Sequence, residues 1–131
     1  MEIAVEKLVA LCCFVVGLSH VFQPRVWARL FILWREKGDV GAIYTGLLHF
    51  QLGALIVAFH NVWHGIPAVV TVLGWGWTIK GLLYLTYPKH GMRMLARVSL
   101  ERSWEFVVAG VALLAIGALV TYSLVARNAL V

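Results

Sequence analysis

The stretch IPAVVTVLGWGWTIKGLLYLTYP, residues 66–88, decides how this chain folds. It is long and apolar enough for one helical membrane crossing, since about 20 such residues cover a hydrocarbon core roughly 30 Å thick. Its one full charge is Lys80, and it ends on Pro88. Counted back from that proline, Lys80 lies ~12 Å deep along a helix that rises ~1.5 Å per residue. An ammonium group at that depth costs ~3 kcal/mol or more unless it snorkels to the interface or finds a partner.

The rest of the chain has the same character. Its 131 residues are 62% hydrophobic and 13% charged, with a mean hydropathy of +0.88. Soluble domains average about 45–50% apolar and about 25% charged residues. The composition therefore predicts an all-α integral membrane protein forming a single domain over residues 1–131. The net charge of +5 does not suggest nucleic acid, because the basic residues flank membrane spans, where they set orientation and attract anionic head groups. The start, MEIAVEKLVALCCFVVGLSH, has neither the basic lead nor the small-residue cleavage site of a signal peptide, and it reads as a retained first helix. Cys12 and Cys13 are adjacent within that helix, which excludes a structural disulfide framework.

Four spans are expected, at about residues 4–23, 40–62, 66–87 and 104–126. Between the first two, Pro24 suits the first turn of a helix and Gly38 its stop. Val26, Trp27, Leu30, Leu33 and Trp34 share one face there, opposite Arg25, Arg29 and Glu36, which predicts an amphipathic interfacial helix. A shorter amphipathic stretch, about Met92 to Val98, follows the third span. These two long links hold Arg25, Arg29, Arg35, Lys37, Lys89, Arg93, Arg97 and Arg102, whereas the HNVWHG turn holds no Lys or Arg. By the positive-inside rule the long links face the cytoplasm and both termini lie outside, as expected for a multi-pass membrane protein. Arg25, Arg29, Arg93 and Arg97 are then placed to meet anionic lipid head groups.

A shift of 64 residues superposes landmarks of the two halves, about 1–64 and 65–131. Gly17-Leu18 falls on Gly81-Leu82, Pro24 on Pro88, Arg29 on Arg93, Gly46 on Gly110, and Gly53-Ala54-Leu55 on Gly117-Ala118-Leu119. Asp39 and Ser103, both residues that suit a helix N-cap, also coincide. The reading is an internal repeat in which each half is span, interfacial helix, span, the halves being parallel about an axis along the membrane normal. Gly46 with Gly53, and Gly110 with Gly117, are seven apart, so each pair marks a close-packed face of a compact bundle or homo-oligomer.

The halves differ in polarity. Lys80 corresponds to Val16, His49 to Leu113 and Gln51 to Ala115, so spans two and three hold nearly all the polar groups within the membrane. His49 and Lys80 lie at similar depth. A ligand site of Tyr44, Thr45, His49, Gln51 and Lys80, closed by Trp75 and Trp77, is the functional expectation, because ionisable groups at this depth mark solute paths, proton relays or cofactor sites. The structural reading stands beside it: Lys80 snorkels and His49 satisfies a neighbouring carbonyl. His20 and Tyr84 occupy matched positions before the prolines, suited to closing helix ends.

His60 and His64, four apart at the outer end of span two, share a helix face at metal-ligand spacing, but no third ligand is evident. His49 and His60 offer a weak basis for a bis-histidine haem b. Cys12 and Cys13 are a further weak soft-metal candidate, or simply pack. The run LVALCCF around them is similar to the first span of the small mercuric-ion transport proteins, which carry a vicinal cysteine pair there. The resemblance spans about seven residues and lacks both their following proline and a second cysteine pair.

Asn61, Val62, Trp63, Gly74, Trp75, Lys80, Gly81 and Pro88 lie in a segment that resembles a group of small four-span bacterial membrane proteins of unknown role. The resemblance implies architecture and a bacterial origin.

The chain has no Ser/His/Asp set, paired acids or phosphate loop, so the expectation leans away from an enzyme. The leading expectation is a membrane protein that binds or passes a small solute, lipid or proton between spans two and three. The alternative is a structural or accessory subunit of a larger membrane complex, with a haem-binding redox subunit or soft-metal transporter behind it.

Overall fold

The computed structural model describes residues 1–129, and those residues form six α-helices and no strand. The order is α1 Glu2–Phe22, α2 Pro24–Glu36, α3 Asp39–Phe59, α4 Ala68–Thr86, α5 Pro88–Leu95 and α6 Trp104–Ala129. Helices α1, α3, α4 and α6 are long and apolar enough to cross a membrane. The protein is an all-α membrane protein, and its short helices α2 and α5 join the spans at one end, called the basic end below.

Each short helix begins on a proline whose fixed φ suits the first turn and whose missing N–H needs no partner there. The second of them thus starts at Pro88 rather than near Met92, as hydrophobic spacing alone had placed it. Helix α2 ends before Gly38, whose φ of 62° and ψ of −139° are open mainly to glycine. Gly38 is itself the N-cap of α3, so Asp39, expected to be the cap, sits in the first turn, where its charge suits the helix dipole.

The spans associate as two pairs, α3 with α4 and α1 with α6, and each pair packs more extensively than the pairs do with one another. Lipid tails are as apolar as leucine, so close van der Waals approach must hold such pairs together. Glycines provide it. A methyl group on Gly53 would lie 2.7 Å from the Gly74 carbonyl oxygen, and one on Gly46 would lie 3.2 Å from that of Gly81. In the other pair, methyls on Gly17 and Gly110 would lie 2.9 and 2.7 Å from each other's carbonyl oxygens, and one on Gly117 would lie 3.3 Å from that of Ala10. The contacts of one pair thus fall on residues 64 positions from those of the other.

Where the pairs meet, Val9, Cys13, Ile56, Val70, Val120 and Leu124 form a buried apolar core. At the basic end Phe31 and Met92 close over Ala42, Tyr84 and Leu95. His20 stacks on Trp27 with ring centroids 4.2 Å apart and tilts against Phe106 at 5.7 Å. Arg35 locks this end from α2, donating through Nη1 to the carbonyl oxygens of Leu95, Ala96 and Val98 at 3.3, 3.4 and 2.9 Å. The Leu95 carbonyl oxygen also accepts from the Val98 N–H at 3.1 Å.

Candidate functional site

The backbones of α3 and α4 approach closely along their glycine seam, and the polar residues expected to gather there take separate positions. Thr45 is buried, and its hydroxyl donates to the Gly41 carbonyl oxygen at 3.0 Å. His49 is half-buried: its Nδ1–H donates to the Thr45 carbonyl oxygen at 2.8 Å and its ring lies 6.4 Å from that of Tyr84. That leaves Nε2 free. Trp77 packs against the core. Tyr44 and Gln51 are exposed, and Trp75 turns to the far end of α4, where its indole N–H donates to Asn61 Oδ1 at 3.3 Å. Lys80, like Tyr44, Gln51 and Trp75, is exposed, so of the expected set only Thr45, His49 and Trp77 are partly or wholly buried.

Lys80 makes no hydrogen bond or ion pair among the described residues. Residues four apart share a helix face, and every Cα–Cβ bond tilts toward the helix N-terminus. Lys80 thus leans toward Gly76, one turn earlier, and a methyl group on Gly76 would have nothing within 4 Å. The result is an open notch with one cation at its foot. The nearer interface lies the other way, at the C-terminal end of α4, so snorkelling must work against the tilt of the side chain.

A second polar group lies at the opposite end of the bundle. Helix α3 stops at Phe59, and His60 caps it in an extended conformation, φ −145° and ψ 105°. His60 and His64 therefore do not share a helix face as expected: His60 turns inward and is 1% exposed, while His64 is exposed in the turn. His60 Nδ1 lies 3.1 Å from Thr71 Oγ1. That hydroxyl donates to the Val62 carbonyl oxygen at 2.7 Å and accepts from the Val62 N–H at 2.9 Å. Its only hydrogen is thereby committed, so the hydrogen between Thr71 and His60 belongs to Nδ1. The other ring nitrogen, Nε2, is buried without a hydrogen-bond partner and lies 3.4 Å from Oε1 of Glu6. Glu6 is 1% exposed on α1, and its second oxygen accepts a hydrogen bond and ion pair from Arg127 of α6. Arg127 is partly exposed and also donates from Nε to the Ser123 carbonyl oxygen at 3.2 Å.

Sequence reasoning missed Glu6. The signal was its spacing: Glu6, Val9, Cys13 and Gly17 lie on one buried face of α1.

No group of three or more His, Cys, Asp or Glu among the described residues is placed to hold a metal ion. Cys12 is exposed and Cys13 is buried against Gly117, so the two thiols diverge. His60, engaged on one nitrogen and enclosed on the other, presents neither to a haem, and His49 lies two to three turns away along α3. Of the four expected head-group residues, Arg25, Arg29 and Arg93 border two open grooves at the basic end, and Arg97 is exposed but lines neither. Arg25 and Arg29 border one with Leu100 and Glu101. Lys89 and Arg93 border the other with Asp39, Tyr87 and His90. Glu105, the nearest acid to that end of α6, pairs with Arg102.

No family model, no curated protein and no solved structure matches this chain.

Proposed function

We propose that the protein is a non-catalytic membrane protein that binds a carboxylate-bearing amphiphile, taken up sideways from the bilayer, in the Gly76–Lys80 notch. The observation that carries this reading is Lys80 itself: a cation inside a span, without a hydrogen bond or ion pair among the described residues, one helical turn from the open space at Gly76. A charge so placed is costly unless an anion meets it. A carboxylate fits because its small head reaches this depth with its alkyl chain still in lipid. His49 Nε2 would accept a hydrogen bond from a protonated head or an adjacent hydroxyl. In this reading the protein spans a bacterial inner membrane, with the basic end in the cytoplasm and its two cation pairs, Arg25 with Arg29 and Lys89 with Arg93, on anionic head groups. The 64-residue correspondence of the glycine contacts supports descent from a duplicated two-span unit.

Native mass spectrometry of the protein from gently extracted membranes tests the reading. A bound acid of low mass is expected on the wild type and absent from Lys80→Met, while Arg25→Ala with Arg29→Ala retains it. Equal occupancy of wild type and Lys80→Met would refute it.

The exposed Tyr44 and Gln51 favour a second reading, in which a helix of a larger complex covers the outer face of α3. There Gln51→Leu would release the protein from other polypeptides, with Lys80→Met silent.

A further inference from the structure

We infer that Glu6 and His60 form a single-proton site that latches the α1–α6 pair to the α3–α4 pair at the end opposite the basic end. Two independent observations carry it. The first is the hydrogen inventory. With Nδ1 donating to Thr71, Nε2 of a neutral His60 offers only a lone pair, and it faces Glu6 Oε1 across 3.4 Å inside the protein. An ionised Glu6 offers only lone pairs in return, so without a proton the contact is repulsive. One proton, taken from water, makes it attractive on either atom: an imidazolium facing a carboxylate, or a carboxylic acid donating to an imidazole. Arg127 holds the other oxygen of Glu6 in both cases and leads to the surface, where the proton enters and leaves.

The second observation is the comparison between halves. Positions 64 apart place Val70 opposite Glu6 and Leu124 opposite His60, and all four residues are buried. The neighbouring core obeys the same correspondence, Ile56 matching Val120 and Val9 matching Leu73. An apolar pair therefore fills this place in one half, so packing does not require the polar pair in the other. Replacing a buried ion pair with apolar residues is often neutral or stabilising, which makes its presence here a matter of what it binds.

Glu6–His60 is also the only polar side-chain contact that joins the two helix pairs directly among the described residues. The groups facing it are Arg127 from α6, which keeps its charge throughout, and the neutral Thr71 hydroxyl from α4; among the described residues no other ionisable side chain makes a hydrogen bond or ion pair with the two. Closure of this end should therefore follow the proton, tight when it is bound and looser when it is lost.

The test uses the full chain in nanodiscs, with spin labels at the exposed positions Ile3 on α1 and Val72 on α4, and 15N-labelled histidine. In the wild type the label-to-label distance distribution should broaden as the buffer goes from mildly acid to alkaline, together with loss of the hydrogen between His60 Nε2 and Glu6. Glu6→Gln supplies its own amide hydrogen to Nε2 and should stay narrow throughout. Glu6→Val with His60→Leu, which copies the matched positions and so guards against misfolding, should also stay narrow. The inference is overturned if the wild type shows no hydrogen in the gap at any pH, or if its distances respond to pH no differently from those of the double variant.

Discussion

Glu6 of α1 and His60 at the end of α3 approach to 3.4 Å although 54 residues of chain separate them, and both side chains are almost wholly enclosed. Arg127 and Thr71 hold their outer edges, so all four spans contribute to one polar cluster. Removing one member should be far worse than replacing the pair. Glu6→Ala leaves a buried imidazole and a guanidinium without their carboxylate and should destabilise the protein by about 3–5 kcal/mol in a detergent unfolding titration. Glu6→Val with His60→Leu should recover most of that loss.

The glycine seams make a sharper structural prediction. Gly53→Leu forces a side chain into the backbone of α4 at Gly74 and Thr78. Overpacking costs about 1–3 kcal/mol even where neighbours can shift, and backbone shifts less readily than a side chain. The α3–α4 pair should separate, read as new protease cleavage in the His60–Gly65 turn. Gly76→Leu projects into open space and should leave that turn protected while weakening ligand uptake at the notch.

Arg35 is the clasp of the basic end. Arg35→Met removes its hydrogen bonds to three carbonyls at the end of α5, each charge-assisted bond contributing about 1.5–3 kcal/mol at most. Faster hydrogen exchange is expected over residues 92–98, with α3 and α4 unchanged. Equal protection in the variant would show that the α2–α5 contact stands without Arg35.

The spans, the prolines that open α2 and α5 and the close-packing glycines were legible because they are local punctuation: a long apolar run, a missing N–H, an absent side chain. The sides of the helices were harder to read. Tyr44, Gln51 and Lys80 belong to adjoining spans, but which side of a seam each occupies depends on helix rotation, which Gly46, Gly53, Gly74 and Gly81 fix jointly. The inward turn of His60 was hidden because α3 ends at Phe59, three residues before the expected end of the span, where Thr71 and the Val62 backbone take over. Glu6 was readable from its spacing to Val9, Cys13 and Gly17, although its partners come from helices distant in sequence.

Photolabelling decides whether Lys80 meets an acid from the bilayer. Two alkyl probes carrying a diazirine in the chain, one ending in a carboxylate and one in its methyl ester, are irradiated with the protein in nanodiscs and the labelled peptides are mapped. The acid should label the segment around Gly76–Lys80 several-fold more than the ester does, and Lys80→Met should remove the difference. Equal labelling by acid and ester at that segment in the wild type would contradict it.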